Sequence, residues 1–233
     1  MNATDDVLFR EEGQMVEIVW HGHACFELRG KKIAVVFDPF AGIGLPEPKA
    51  EADIVLCSHS HGDHNNARPV LKKGGTILEG FVGAGEVQGV QVKGVATFHD
   101  ATGGSQRGRN SIYNVQLDGI AFCHLGDLGH DLTKEHVLGI GEVDVLFLPI
   151  GGGPTIGLAE VPSIVDSLKP KIVVPMHYNL GIPGMAEFFT KLSRVEDYLK
   201  DRRNVERVKG RSFTIVRDSL PKEQKIVALT FTT

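Results

Sequence analysis

Five apolar runs in this sequence each end on a histidine or an aspartate, and that pattern narrows what the chain can fold into. Ala34-Val35-Val36-Phe37 leads to Asp38, Ile54-Val55-Leu56-Cys57-Ser58 to His59, and Val95-Ala96-Thr97-Phe98 to His99. Ala121-Phe122-Cys123-His124-Leu125-Gly126 leads to Asp127, and Ile172-Val173-Val174-Pro175-Met176 to His177. Short runs rich in Val and Ile read as strands. In open α/β sheets, ligands gather outside the carboxyl ends of strands. A chain that delivers five such side chains to strand ends is expected to build one α/β site from distant segments.

Strands are expected at 16–20, 32–37, 54–57, 92–98, 120–124, 143–149, 171–175, 212–216 and 226–231. Met185, Phe188, Phe189, Leu192, Val195 and Leu199 recur at helical spacing and predict an amphipathic helix over 184–201. A shorter helix is expected over 162–169, stopped by Pro170, and another over 66–73, with Pro69 near its first turn. No repeat or linker divides the chain, so residues 1–233 read as one α/β domain, long enough to bury a core unaided.

The centre of the pattern is His59-Ser60-His61-Gly62-Asp63-His64, or H-x-H-x-D-H. From the composition, chance yields it roughly once in a thousand such sequences, a small false-positive risk for a motif. His59 and His61 stand at i and i+2, which share one side of an extended chain. Gly62 permits the turn that returns Asp63 and His64. With His99, Asp127 and His177 the donors number seven. A four-coordinate catalytic zinc needs three protein ligands and a water. Seven donors therefore read as two ions: one on His59, His61 and His99, the other on Asp63, His64 and His177, with Asp127 bridging. Imidazole and carboxylate suit Zn²⁺, and also Mn or Fe.

Ten histidines against three cysteines support that donor chemistry. Cys25, Cys57 and Cys123 have no C-x-x-C spacing and read as small buried hydrophobes in a reducing cytoplasm. The acidic opening segment has no apolar core, so no secretory leader is expected, and no run approaches a membrane span. A net charge of −4 gives no nucleic-acid footprint, which leaves a small molecule as the expected partner; oligomeric state is unreadable. Ser58, Ser60 and Ser105 lack a G-x-S-x-G elbow, which argues against a serine hydrolase.

The H-x-H-x-D-H motif, followed by a lone His, a Gly-Asp and a last His, resembles the metallo-β-lactamase superfamily. The similarity begins at Trp20-His21-Gly22-His23-Ala24 and passes Phe37-Asp38-Pro39-Phe40, Phe98-His99 and His124-Leu125-Gly126-Asp127. It ends at Pro175-Met176-His177-Tyr178. The first two segments are similar to the branch of L-ascorbate-6-phosphate lactonase-like hydrolases, UPF0173-type metal-dependent hydrolases and N-acyl-phosphatidylethanolamine phospholipases. The resemblance implies a four-layer αββα sandwich with a dinuclear site at one edge of its two sheets. It also implies that Asp38 orients the H-x-H-x-D-H loop. The chain is shorter than the lactonases it resembles and lacks the basic extension of tRNA-processing nucleases.

The expected reaction is hydrolysis of a small ester, lactone or phosphoester by a hydroxide shared between the ions. Asp127 would hold that hydroxide and Asp63 would accept a proton. His23 is read as a proton donor to the leaving group or a substrate contact, against a structural role. His124 is read as a hydrogen-bonding neighbour of the site, against a satisfied buried histidine. Arg107, Arg109 and Asn110 are candidate contacts to a phosphate or carboxylate. The glycines at 151–153 read as a turn, with anion reception as the rival. His21, His130 and His136 read as ordinary. A phosphodiesterase or nuclease of the same superfamily, or a non-catalytic metal-binding protein, are the other readings.

Overall fold

The structure, a computed structural model, describes residues 14–232. The acidic segment at 1–13, on which the reading of no leader rested, lies outside the described residues. The strands are β1 (Met15–Gly22), β2 (Cys25–Arg29), β3 (Ala34–Phe37), β4 (Ala52–Cys57), β5 (Leu71–Glu79), β6 (Gly83–Val87) and β7 (Val90–Phe98). They continue as β8 (Arg109–Leu117), β9 (Ile120–His124), β10 (Val145–Pro149), β11 (Ile172–Met176), β12 (Val205–Val208), β13 (Ser212–Val216) and β14 (Lys225–Leu229). The helices are α1 (Lys134–Ile140), α2 (Val161–Leu168), α3 (Glu187–Thr190) and α4 (Val195–Leu199).

Sequence pattern explains which strands lie inside. β9, β10 and β11 are apolar along nearly their whole length and buried at every residue, as parallel strands covered on both faces must be. β7 alternates buried and exposed residues over much of its length, the mark of a strand with one wet face. The strands form a six-stranded sheet, β13-β1-β2-β3-β4-β5, and an eight-stranded sheet, β12-β14-β11-β10-β9-β8-β7-β6.

The period of two along the first sheet separates two apolar cores. Val35, Phe37, Ile54 and Leu56 join Phe122 and Phe147 between the sheets. Val36, Val55 and Cys57 point the other way and are covered by Met185, Phe189 and Leu192. α1 packs on β7 and β8, and α2 makes the crossover between parallel β10 and β11. This is the αββα layering that the resemblance implies.

Two helix expectations are corrected. Over 66–73 only a single 3-10 turn forms, at Arg68–Val70, and β5 begins at Leu71. Pairing with β4 (Ala52 beside Leu71) outweighs a weak helical preference on this sheet edge. The stripe at 184–201 is two short helices, not one. Between them Ser193 N–H donates to Gly151 O and Asn179 N–H to Ser193 O, so the chain is drawn out to bond the site's own loops. β2, β5, β6, β8 and β12 were not expected. In β8 the buried Asn110, Ser111 and Asn114 break the apolar run. Asn114 is reconciled with burial by donating to Ile140 O and Glu142 O.

Candidate metal centre

Strand direction brings the chemistry together. β1 and β3 both run antiparallel to β2, and β4 is parallel to β3. β7 and β9 both run antiparallel to β8, and β10 and β11 follow β9 in parallel. Each sheet therefore presents its carboxyl ends along one edge. Asp38, His59, His99, Asp127 and His177 follow those ends, and so does His23, after β1.

The donors fall into two clusters. His59, His61 and His99 offer nitrogens that all lie within 4.8 Å of one another, and so do His23, His64 and His177. Asp127 stands between them: its Oδ2 is 3.1 Å from His99 Nε2, 3.3 Å from His64 Nε2 and 3.2 Å from His177 Nε2. Asp63 Oδ2 approaches the second cluster, 3.4 Å from His23 Nε2 and 3.6 Å from His64 Nε2. His23, His64, His99, Asp127 and His177 are buried, whereas His61 is accessible to solvent.

Hydrogen bonds fix which nitrogen of each ring faces the centre. His64 Nδ1 lies 2.9 Å from Asp38 Oδ2. Ser58 Oγ donates to the same oxygen at 2.7 Å, so it accepts from His59 Nδ1, 2.9 Å away. Asp38 thereby sets the tautomer of two histidines, and Ser58 N–H, donating to its Oδ1, holds it in place. His99 Nδ1 donates to Pro154 O at 3.1 Å. All three rings are left with Nε2 turned inward, the arrangement that partners outside a metal shell impose on its ligands.

Four buried atoms have no hydrogen-bond partner among the described residues: His59 Nε2, Asp127 Oδ1, and both ring nitrogens of His177. Leaving a buried polar atom unsatisfied costs about 1–3 kcal/mol. Their concentration at one point, on donors of the kind that divalent ions take, fits a metal centre. His23, Asp38 and His177 also have positive φ values of 52°, 43° and 50°. Backbone strain of this kind costs about 1–3 kcal/mol per residue and persists where surrounding structure enforces it.

Charge follows burial. Burial, with the adjoining His177, pushes the His23 pKa down to about 3, and burial with His64 does the same to His59. Burial also opposes ionisation of Asp127, but the His177 and His64 rings outweigh it and hold the carboxyl well below the usual range. Asp38 is likewise held low, its burial overcome by His64.

The first cluster opens onto a cavity of 710 Å³, whose walls include His59, His61, Arg107, Arg109 and the exposed apolar side chains of Val82 and Phe98. The loop bearing Arg107 is tied to Asp100. Its Oδ1 accepts from Thr102 N–H and Gly104 N–H, and its Oδ2 from Gln106 N–H and Arg107 N–H.

Some expected roles change. Asn110 borders the cavity, but its amide is engaged within the protein. It donates to Thr97 Oγ1 and Leu125 O and accepts from Asp127 N–H, so it positions Asp127 rather than a substrate. His23 is 2% exposed, set among Phe40, Phe189, His64 and His177, and is absent from the cavity wall. His124 bonds Ala24 O, accepts from Gly126 N–H and stacks on Phe37, which steadies the turn into Asp127. The 151–153 loop is a close-packed turn: a Cβ on Gly151 would meet His177 O at 2.2 Å. His21 pairs with Glu27.

Sequence reading missed Ser58, Asp100 and the Pro154 carbonyl. Asp100 had a signal, since Asp100-Ala101-Thr102-Gly103-Gly104-Ser105 is turn chemistry. Ser58 and Pro154 had none, because their partners are distant in sequence.

The Beta-lactamase superfamily domain matches residues 17–177. A UPF0173 metal-dependent hydrolase of Thermococcus onnurineus is 35% identical over 209 residues, covering 76% of this chain and 92% of that protein. A UPF0173 metal-dependent hydrolase of Pyrococcus abyssi matches to the same extent. Among solved structures, a proposed Zn-dependent hydrolase of the metallo-beta-lactamase superfamily from Thermotoga maritima superposes with a TM-score of 0.75 at 39% identity. That match covers 92% of this chain and 98% of the other.

Proposed function

The chain belongs to the beta-lactamase superfamily and, within it, to the UPF0173 metal-dependent hydrolases, and from that premise we propose a dinuclear hydrolase acting on a small anionic ester, lactone or phosphoester. The observation that carries the reading is the pair of histidine clusters joined through Asp127, with the orphaned buried donors concentrated there. His59, His61 and His99 would hold one ion, Asp63, His64 and His177 the other, and Asp127 both. Zn²⁺ is favoured by the donors, with Mn or Fe as the alternatives. Two such ions supply a hydroxide near neutral pH and stabilise negative charge on the attacked centre.

The protein's own groups do the rest. The cavity beside His59 and His61 receives the substrate, and Arg107 and Arg109 on its wall attract a phosphate or carboxylate. Val82 and Phe98 give that wall an apolar side. Asp63, partly open to solvent, accepts the proton released as water adds. Among the described residues no helix is long and apolar enough to cross a membrane. Three buried free cysteines, each thiol pushed up by burial, support work in a reducing compartment such as the cytoplasm.

The test uses metal-free protein reloaded with Zn²⁺, Mn²⁺ or Fe²⁺. Each form is assayed on p-nitrophenyl carboxylic esters, phosphomonoesters, phosphodiesters and a lactone. The expected result is close to two ions per chain, with turnover that a chelator abolishes and metal restores. Full turnover in the demetallated protein would overturn the reading.

A further inference from the structure

We propose that His23 is a further metal ligand, so that the two ions of the centre are unequal: one enclosed by protein donors, the other open to the cavity. The inference rests on the dinuclear reading above. It assigns His23 a place that the spacing of the H-x-H-x-D-H motif does not provide, since His23 follows β1 and the motif follows β4.

The geometry at His23 is that of a donor. Its Nε2 lies 3.0 Å from His64 Nε2 and 3.4 Å from Asp63 Oδ2. Two nitrogens each bound about 2.1 Å from one ion at a near-tetrahedral angle stand about 3.4 Å apart; the two rings, at a hydrogen-bonding 3.0 Å, need part by only about 0.4 Å to share one. His64 Nδ1 is committed to Asp38, which leaves its Nε2 facing His23. His23, His64 and His177 present their nitrogens within 4.8 Å of one another, as closely as His59, His61 and His99 do.

The protein also holds His23 in place. Its backbone sits at φ 52°, a conformation that side-chain-bearing residues seldom adopt. Its carbonyl accepts from Trp20 Nε1 at 3.1 Å and from His177 N–H at 3.2 Å. Phe40 and Phe189 meet its ring edge-on, with centroids 6.3 and 4.9 Å away. The ring is fixed from two sides with its Nε2 directed at His64 and Asp63.

The consequence is a division of labour. With His23 added, the enclosed ion has His23, Asp63, His64 and His177 beside the shared Asp127, a nearly filled set of donors. The ion on His59, His61 and His99 has three donors and the same bridge, and it borders the cavity. Substrate would reach only this open ion.

The test is a titration of metal-free protein with Co²⁺ alone, read by calorimetry and visible absorption, on the wild type and on His23→Asn. Asn tolerates positive φ, so the fold is kept; His23→Gly, which removes the ring at the same φ, serves as the second variant. The expected result is that one ion of two loses at least about tenfold in affinity while the other is unchanged. The Co²⁺ absorption should intensify as the enclosed site loses a donor. Imidazole added to His23→Gly should restore affinity and spectrum, which it would not do for a packing role. Wild-type affinities and an unchanged spectrum in both variants would overturn the inference. A wild type that binds one ion would refute the dinuclear reading. Even then, His23 stands as a ligand if that ion's spectrum changes in the variants, and falls if it does not.

Discussion

His23, His64 and His177 are 2, 0 and 0% exposed, whereas the cluster of His59, His61 and His99 borders solvent through His61. Both clusters offer three imidazoles and share Asp127, so their chemistry is nearly the same. Their surroundings are not. His64 reaches Asp38, which is itself wholly buried. His61 makes no such contact and stands at the cavity wall. Removing His61 from the open side lets water replace it. Removing His64 from the closed side takes the ring from buried Asp38 and leaves it only the Ser58 hydrogen bonds, and a buried charge short of partners is expensive. The proposed ligation and stability are thus coupled at His64 and separable at His61.

The largest effect that tests this contrast compares His64→Ala with His61→Ala. Each removes a donor, and each should lower turnover by about 10³-fold or more, equivalent to about 4 kcal/mol of barrier. Thermal melts of the metal-free proteins separate them. His64→Ala takes the imidazole from the buried Asp38 carboxylate and leaves it only the two Ser58 hydrogen bonds, which should cost about 2–4 kcal/mol, lowering Tm by about 5–15 °C in a chain of this size. His61→Ala should stay within about 0.5 kcal/mol of wild type, as accessible substitutions do. Equal shifts in Tm would break the comparison.

Asp38→Asn sharpens it, because Asp38 serves both sides. Its carboxylate contacts His64 directly and His59 through Ser58. An amide in its place turns a donor toward groups that already donate. Both ions should then weaken, by about 10–100-fold each, in contrast with His23→Asn, which should touch one. Calorimetric titration with Zn²⁺ distinguishes the outcomes. A loss confined to one ion would mean that Ser58 holds His59 without Asp38.

How far the sequence foretold these regions differs in the same way. The H-x-H-x-D-H run and the strand-end residues His99, Asp127 and His177 were legible because each sits next to the strand that delivers it. The αββα layering followed through the resemblance those residues carry. Illegible were the partners that fix the rings. Ser58 acts because Asp38 lies beneath it, and Pro154 because its carbonyl meets His99 from 55 positions away. The grouping of His23 with His64 was equally hidden, spanning 41 positions. Pattern reading also failed at 184–201. The apolar spacing there is helical, but hydrogen bonds to Gly151 and Asn179 interrupt the helix. In each case the deciding contact is tertiary, and a local pattern carries no trace of it.

The smallest effect concerns the open side alone. Asp100 organises the loop that carries Arg107 by accepting four backbone N–H groups. Asp100→Asn keeps an acceptor for Thr102 and Gly104 but replaces the oxygen that holds Gln106 and Arg107. The exposed loop should loosen with little change in Tm, while the ligands of both ions keep their partners. If Arg107 attracts an anionic group in the cavity, loosening the loop weakens binding before reaction and leaves the chemical step intact. Competitive inhibition by inorganic phosphate should then weaken about tenfold, equivalent to about 1.4 kcal/mol, with kcat unchanged and two ions still bound. Arg107→Ala should give a similar loss, and the double variant should add little to either, because both changes remove one interaction. Additive losses would separate the loop from the arginine and locate the anion contact elsewhere on the cavity wall, where Arg109 is the other arginine.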